Sequence, residues 1–115
     1  SAGSHEAAVH RLVLHYDKDG RAMLNFLAQE QRCAAIARLL QGARQVHEDW
    51  ARRECGAVLG DEQSPGFQRR LVAAMAATDI YVWKLLRLDW GLGRRETELT
   101  MLHLLRGVRA DEAPA

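Results

Sequence analysis

Apolar residues recur at spacings of three and four along most of this 115-residue chain, and the period-two alternation of a half-buried strand is nearly absent. Such spacing places apolar side chains on one side of a helix. β-branched residues, which favour strands, are scarce. The pattern therefore predicts an all-α protein. At this length we expect one domain over residues 1–115, an orthogonal or antiparallel helical bundle of about five helices.

Interruptions of the pattern give the expected helix bounds, which are about 5–17, 21–29, 32–59, 65–89 and 94–106. Gly20 should separate the first two helices, because glycine readily takes the positive φ of a turn. Gly42 weakens the third helix and is a candidate kink. Ser64 is the expected N-cap of the fourth helix, with Pro65 at its first position. Gly91 is the expected C′ residue at its end.

Charge and cysteine content argue against several classes of protein. The formal net charge of +1 gives no general attraction to nucleic acid or to a membrane surface. The longest apolar runs are far shorter than a membrane span, and no signal-peptide pattern is present, so we expect a cytoplasmic protein without membrane partners. Cys33 and Cys55 lack the spacing of a zinc site or a disulfide framework. The tail, residues 108–115, is expected to be disordered.

The fourth predicted helix is apolar on two sides, and a helix of that kind is buried on both. One side should face the chain's own core, but little of so short a chain remains to cover the other. We therefore expect a homodimer in which the last two helices of each copy form a four-helix interface. The alternative is a monomer in which the first three helices cover everything. The candidate interface residues are Ala73, Ala76, Ala77, Ile80, Trp83, Lys84, Arg87, Leu102 and Leu105.

The stretch ATDIYVWKLLRLDWGLGRRETE, residues 77–98, resembles the penultimate helix and following turn of TetR-like transcriptional repressors. Many members carry the pattern D-x-Y-x-W-K-L-L-R-x-D-x-G-L-x-R-x-E-x-E there. Upstream, LVLHYDKDGRAMLNFLAQEQR resembles the helices that precede the family's ligand cavity, and ARLLQGARQVHEDW resembles the cavity-forming helix. The resemblance spans most of the chain, and its last part is the most specific.

The resemblance implies a C-terminal effector-binding and dimerisation domain. No helix-turn-helix with a basic recognition helix precedes His5. We therefore expect DNA to be a partner only through an absent N-terminal domain. A ligand would favour one arrangement of the two subunits and so change the spacing of the DNA-reading heads. The alternative is a ligand-free helical dimerisation module.

Polar groups within apolar surfaces mark the candidate effector site. His47 is either a hydrogen-bonding group in a ligand cavity or a core histidine paired with a neighbour. Asp79 needs a partner, because an unpaired buried carboxylate is costly; candidates are His47, an arginine of the third helix and the indole of Trp83. The candidate ligand-binding residues, for a small apolar or amphipathic effector, are Met23, Phe26, Leu27, Val46, His47, Trp50, Met75, Thr78, Asp79 and Val82.

The sequence contains no recognisable catalytic or metal-binding pattern. His5, His10 and His15 are five residues apart, which places neighbours about 140° apart on a helix, so they cannot share one ligand face. No Ser/His/Asp or Cys/His arrangement and no glycine-rich phosphate loop is discernible. We therefore expect no enzymatic activity, no metal and no cofactor.

Overall fold

A computed structural model describes the backbone of residues 2–109 and the side chains of residues 5–109. Within that range the chain is helical and contains no strand, which confirms the predicted all-α bundle. No helix among these residues is long and apolar enough to cross a membrane. The helices are α1 (Ala2–Ala28), α2 (Ala34–Glu54), α3 (Gly56–Leu59), α4 (Phe67–Ala77), α5 (Ile80–Trp83) and α6 (Arg94–Arg106), with a 3₁₀ turn at Glu30–Arg32 and a π-helical turn at Lys84–Asp89.

The long helix α1 packs against α2, α5 and α6, while α4 packs against α2 and α6. Each of these helices contributes an apolar stripe, and burial of those stripes is the main force that holds the bundle together. The best-buried side chains of the core are Val9, Val13, Leu59, Leu71, Trp83, Met101, Leu102 and Leu105.

Helix α1 continues through Gly20, so the predicted break between the first two helices is wrong. A Cβ atom at Gly20 would lie 2.7 Å from two ring carbons of Trp83. Gly20 does not have a positive φ. The glycine therefore allows α1 and α5 to approach closely, and it does not form a turn.

The third predicted helix is also divided differently from expectation. Helix α2 passes through Gly42 without a break, and a Cβ at this exposed position would touch nothing within 4 Å. The helix ends at Glu54 instead, where the buried Cys55 leads into the short helix α3. The candidate kink at Gly42 is therefore wrong.

The fourth predicted helix is broken at Thr78 and Asp79. The backbone of Asp79 is extended, with φ −74° and ψ 152°, and its Oδ2 accepts a hydrogen bond from the backbone N–H of Tyr81 at 2.9 Å. Asp79 is thus the N-cap of α5, a role that suits its short carboxylate side chain. The backbone N–H of Tyr81 is therefore the hydrogen-bond partner of the Asp79 carboxylate. Among the described residues, none of its three predicted partners forms a hydrogen bond with its side chain.

The predicted N-cap Ser64 does not cap α4. The N-cap residue is Gly66, which has φ 83° and makes no side-chain cap. The hydroxyl of Ser64 donates to the carbonyl oxygen of Asp61 and accepts a hydrogen bond from Arg70. At the other end, Gly91 has the expected positive φ, 69°.

Of the predicted disordered tail, residues 108–115, the structure describes only Val108 and Arg109. Val108 is 9% exposed and therefore belongs to the packed part of the molecule. Residues 110–115, the rest of that predicted tail, lie outside the described residues.

Five of the predicted dimer-interface residues are buried within their own chain, with side chains 1–6% exposed: Ala77, Ile80, Trp83, Leu102 and Leu105. For Ile80 and Trp83, the prediction assumed one continuous helix over residues 65–89, whereas the break at Thr78 and Asp79 and the π-helical turn change the direction of the side chains that follow. Ala77, Leu102 and Leu105 are buried where α4 and α6 pack within the bundle. Of the remaining four, Ala76 is exposed, and Ala73, Lys84 and Arg87 are partly buried.

Candidate functional site

Three hollows meet at His47, and together they are called here the His47 site. The inner cavity, of about 110 Å³, is lined by Tyr16, Met23, Leu27, Leu40, Ala43, Arg44, His47, Asp79, Ile80 and Tyr81. The α1–α2 groove, of about 370 Å³, is lined by Leu12, His15, Tyr16, Met23, Ala43, Val46, His47 and Trp50. The α4 groove, of about 450 Å³, is lined by Arg44, His47, Val72, Met75, Ala76, Asp79 and Val82.

Most of the predicted ligand-binding residues therefore come together. Those that line at least one of the three hollows are Met23, Leu27, Val46, His47, Trp50, Met75, Asp79 and Val82. Two do not. Phe26 lies exposed on α1 and lines none of the hollows. Thr78 is completely buried, lines none of the hollows, and contacts the site through His47 and Tyr16.

The imidazole of His47 is held by the helix break. Its Nε2 lies 2.9 Å from the hydroxyl oxygen of Thr78. That hydroxyl donates its only proton to the carbonyl oxygen of Ala74 at 2.8 Å, so Nε2 must be the donor toward Thr78. The Nδ1 atom is then left as a hydrogen-bond acceptor.

Burial lowers the pKa of His47, and the nearby carboxylate of Asp79 opposes this change only in part. Because the ordinary pKa of histidine is about 6.5, the ring is neutral at pH 7. The His47 site therefore presents a neutral acceptor nitrogen. The ring of Trp50 lies beside it, with centroids 6.0 Å apart.

Tyr16 and Arg44 line the His47 site but are absent from the residues predicted for it. The hydroxyl of Tyr16 donates to the carbonyl oxygen of Thr78 at 2.9 Å, which satisfies a carbonyl at the helix break. Burial raises the pKa of Tyr16 above its usual value, so it remains a neutral donor. Arg44 lies one turn before His47 on α2, and residues three apart share a helix face. That spacing was the available signal for Arg44.

The guanidinium of Arg44 is fixed by the 3₁₀ turn that follows α1. It forms two hydrogen bonds with the carboxylate of Glu30, of 2.6 and 2.7 Å. This two-pronged arrangement fixes orientation as well as distance. A positive group is thereby held at the edge of both the inner cavity and the α4 groove.

Neither the hydroxyl of Thr78 nor the thiol of Cys55 is an activated nucleophile. The hydroxyl of Thr78 is buried and donates to a carbonyl, so it is not a free nucleophile beside His47. Burial, followed by the charge of Glu54, raises the pKa of the Cys55 thiol to about 11, which keeps it protonated and unreactive. Within residues 5–109, no three His, Cys, Asp or Glu side chains lie close enough to hold a metal ion.

Comparison with known proteins adds no assignment to this geometry. No family model, no curated protein and no solved structure matches the chain.

Proposed function

We propose that the chain is the effector-binding and dimerisation domain of a TetR-like transcriptional repressor. It binds a small apolar or amphipathic molecule in the His47 site. It forms a homodimer and controls DNA binding by an N-terminal head that this sequence does not contain. The observation that carries the proposal is the meeting of three hollows at one neutral, oriented histidine.

The lining of the His47 site indicates the class of effector. The α1–α2 groove is walled mainly by carbon, from residues such as Leu12, Met23, Val46 and Trp50, and its polar lining residues are His15, Tyr16 and His47. Small-molecule sites are typically apolar clefts with a few oriented polar groups, and volumes of roughly 300–1,000 Å³ are usual. The α1–α2 groove and the α4 groove both fall in that range. An effector with a flat or greasy body and one hydrogen-bond donor would fit.

The position of His47 suggests how binding would be transmitted. Its hydrogen bond ends on Thr78, the residue at which α4 stops and the chain turns toward α5. A ligand that binds one orientation of the His47 side chain more tightly than another would favour one conformation of the α4–α5 junction at Thr78. Because α4 and α6 pack together, such a change would reach the helices assigned to the dimer.

Exposed apolar side chains support a second copy as partner. Leu85, Leu99 and Leu104 are each more than one-third exposed, and they lie on the π-helical turn and on α6, which pack against each other. Exposed apolar surface of this kind often marks a protein interface. We therefore assign the dimer to exposed apolar side chains of the last helices, and not to the five buried residues predicted from the sequence.

A thermal-shift screen with small hydrophobic compounds tests the sensor function, because a ligand that binds only the native state raises the melting temperature. We expect active compounds to lose their effect on the variant His47→Ala. They should keep it on the control variant His103→Ala, which removes an exposed histidine of α6. Compounds that shift both variants equally would place binding elsewhere. A screen without any active compound would favour a ligand-free dimerisation module.

A further inference from the structure

A fourth hollow differs in chemistry from the three at His47. It has a volume of about 320 Å³ and is lined by Asp17, Arg21, Trp83, Arg87, Leu88 and Arg94. We call it the arginine pocket. Three guanidinium groups face one carboxylate, so the lining carries a net charge of +2 (three positive charges less one). The proposed effector site does not account for this surplus of positive charge.

The carboxylate of Asp17 is already saturated by its neighbours. Its Oδ1 accepts hydrogen bonds from Trp83 Nε1 at 2.9 Å and from Arg87 Nε at 3.0 Å. Its Oδ2 accepts from Arg87 Nη2 at 3.0 Å and from Arg94 Nε at 2.8 Å. Asp17 therefore has little capacity to engage Arg21 as well.

The three arginines differ in how many of their donors are used. Arg87 uses all three of its nitrogens, since its Nη1 also donates to the carbonyl oxygen of Leu92 at 3.1 Å. Arg94 uses only its Nε, and its two Nη groups have no hydrogen-bond partner among the described residues. Arg21 forms no hydrogen bond or ion pair with any residue between 5 and 109. An arginine has five N–H donors. Arg21 and Arg94 are both exposed, so their unpaired N–H groups face solvent and are open to a ligand.

The local backbone brings these groups together in an unusual way. The π-helical turn Lys84–Asp89 places Arg87 and Leu88 beside Trp83 on one wall of the pocket. Turns of this kind occur frequently at functional sites. Arg94 is the first residue of α6, a helix of 13 residues whose N-terminus has no side-chain cap. The partial positive charge of that terminus adds to the charge of the arginines.

We propose that the arginine pocket binds a small oxyanion, the phosphate or carboxylate group of a small molecule. Arg21 and Arg94 would donate to the anion, and Arg87 would keep Asp17 in place behind them. Paired charge-assisted hydrogen bonds from guanidinium groups are the usual means of recognising such oxyanions. This site is separate from the His47 site and does not depend on its function.

Isothermal titration calorimetry of the full chain with inorganic phosphate, at constant ionic strength, tests the proposal. We expect saturable binding at one site per chain. The variant Arg21→Gln should weaken it by roughly tenfold or more, because it removes a charge-assisted contact. Arg21 has no described partner, so this substitution leaves the Asp17 network intact. The matched control is Arg38→Gln, an exposed arginine of α2 that also forms no described ion pair. It should bind phosphate like the unmodified chain.

Two outcomes would overturn the proposal. The first is the absence of saturable binding by any of three probes: phosphate, acetate and a phosphate monoester. The second is an equal loss of binding in the Arg21→Gln and Arg38→Gln variants, which would show general attraction to a basic surface. Where binding occurs, the tightest of the three probes identifies a free phosphate, a carboxylate or an esterified phosphate as the recognised group.

Discussion

Thr78 joins three parts of the molecule through one hydroxyl and one carbonyl group. The hydroxyl accepts a hydrogen bond from His47 on α2 and donates to Ala74 on α4, while the carbonyl accepts from Tyr16 on α1. All of Thr78 is buried. Thr78 therefore positions the side chains of His47 and Tyr16. Because Thr78 is buried, we expect it to make no direct contact with a ligand.

The substitution Thr78→Val tests this role, because valine keeps the shape and removes the hydroxyl. We expect the free energy of unfolding to fall by about 1–3 kcal/mol, since the N–H of His47 loses its buried partner. Urea unfolding followed by circular dichroism measures the change. The control is Thr100→Val, whose hydroxyl bonds to Glu96 near the surface. An equal loss in both variants would argue against a special role for Thr78.

Asp17 should make stability depend on pH in the acid range. Partial burial by itself would raise the pKa of its carboxyl group, but hydrogen bonds from Arg87, Arg94 and Trp83 outweigh that effect and lower the pKa to about 2. The folded state thus binds the proton more weakly than the unfolded state does. The resulting stabilisation is fully present above pH of about 4, the unfolded pKa, and is lost as pH falls through about 2.

The side chain of Asp17 is 12% exposed and that of Arg94 is 50% exposed, so solvent screens these contacts in part. Its share of stability is about 2 kcal/mol by linkage. We expect the variant Asp17→Asn to lose this acid-dependent part, as measured by urea unfolding between pH 2 and pH 7. The variant Asp49→Asn, which removes an exposed carboxylate of α2, should retain the acid dependence of the unmodified chain. Parallel curves for Asp17→Asn and the unmodified chain would contradict the assignment.

At the scale of the helices, replacing a glycine of α1 and a glycine of α2 by alanine should change the stability of the chain in opposite directions. Alanine at Gly42 meets open space in the interior of α2, so Gly42→Ala should stabilise the chain by about 0.5–1 kcal/mol. Alanine at Gly20 meets the rings of Trp83 at 2.7 Å, so Gly20→Ala should destabilise it by about 1–3 kcal/mol. Thermal unfolding of both variants provides the comparison. A stabilising Gly20→Ala would mean that α1 and α5 do not pack closely.

The same two glycines show which features of the fold the sequence could predict and which it could not. Apolar spacing correctly identified every long helical region, because that signal is local and repeated. Apolar spacing could not distinguish a glycine that forms a turn from a glycine that packs against an aromatic ring. The ring that packs against Gly20 belongs to Trp83, more than sixty residues further along the chain. Side chains on the apolar stripe of α2, such as His47 and Trp50, line the hollows of the candidate site, as their spacing predicts. Ile80 and Trp83, which follow the break at Thr78, are buried in their own chain, because the prediction assumed one straight helix.

At the scale of the whole molecule, the proposed homodimer is the main consequence of the exposed apolar side chains. Leu99, 40% exposed on α6, is one of the side chains assigned to the interface with the partner copy. We expect light scattering to show a dimer, and the variant Leu99→Glu to be a folded monomer, because a buried unpaired carboxylate opposes association. The control Leu39→Glu changes an exposed leucine of α2 and should remain dimeric. A monomer in the unmodified chain would refute the dimer.

The three tryptophans differ in their exposure to solvent and in the part of the molecule that they report on. Trp50 borders the α1–α2 groove, Trp83 is buried against the arginine pocket, and Trp90 is 76% exposed after the π-helical turn. Indole emission shifts to shorter wavelength as water is excluded, so the three should emit at distinguishable wavelengths. Variants that keep one tryptophan at a time would therefore give each region its own optical reporter, and occupancy of either pocket could be followed without any added dye.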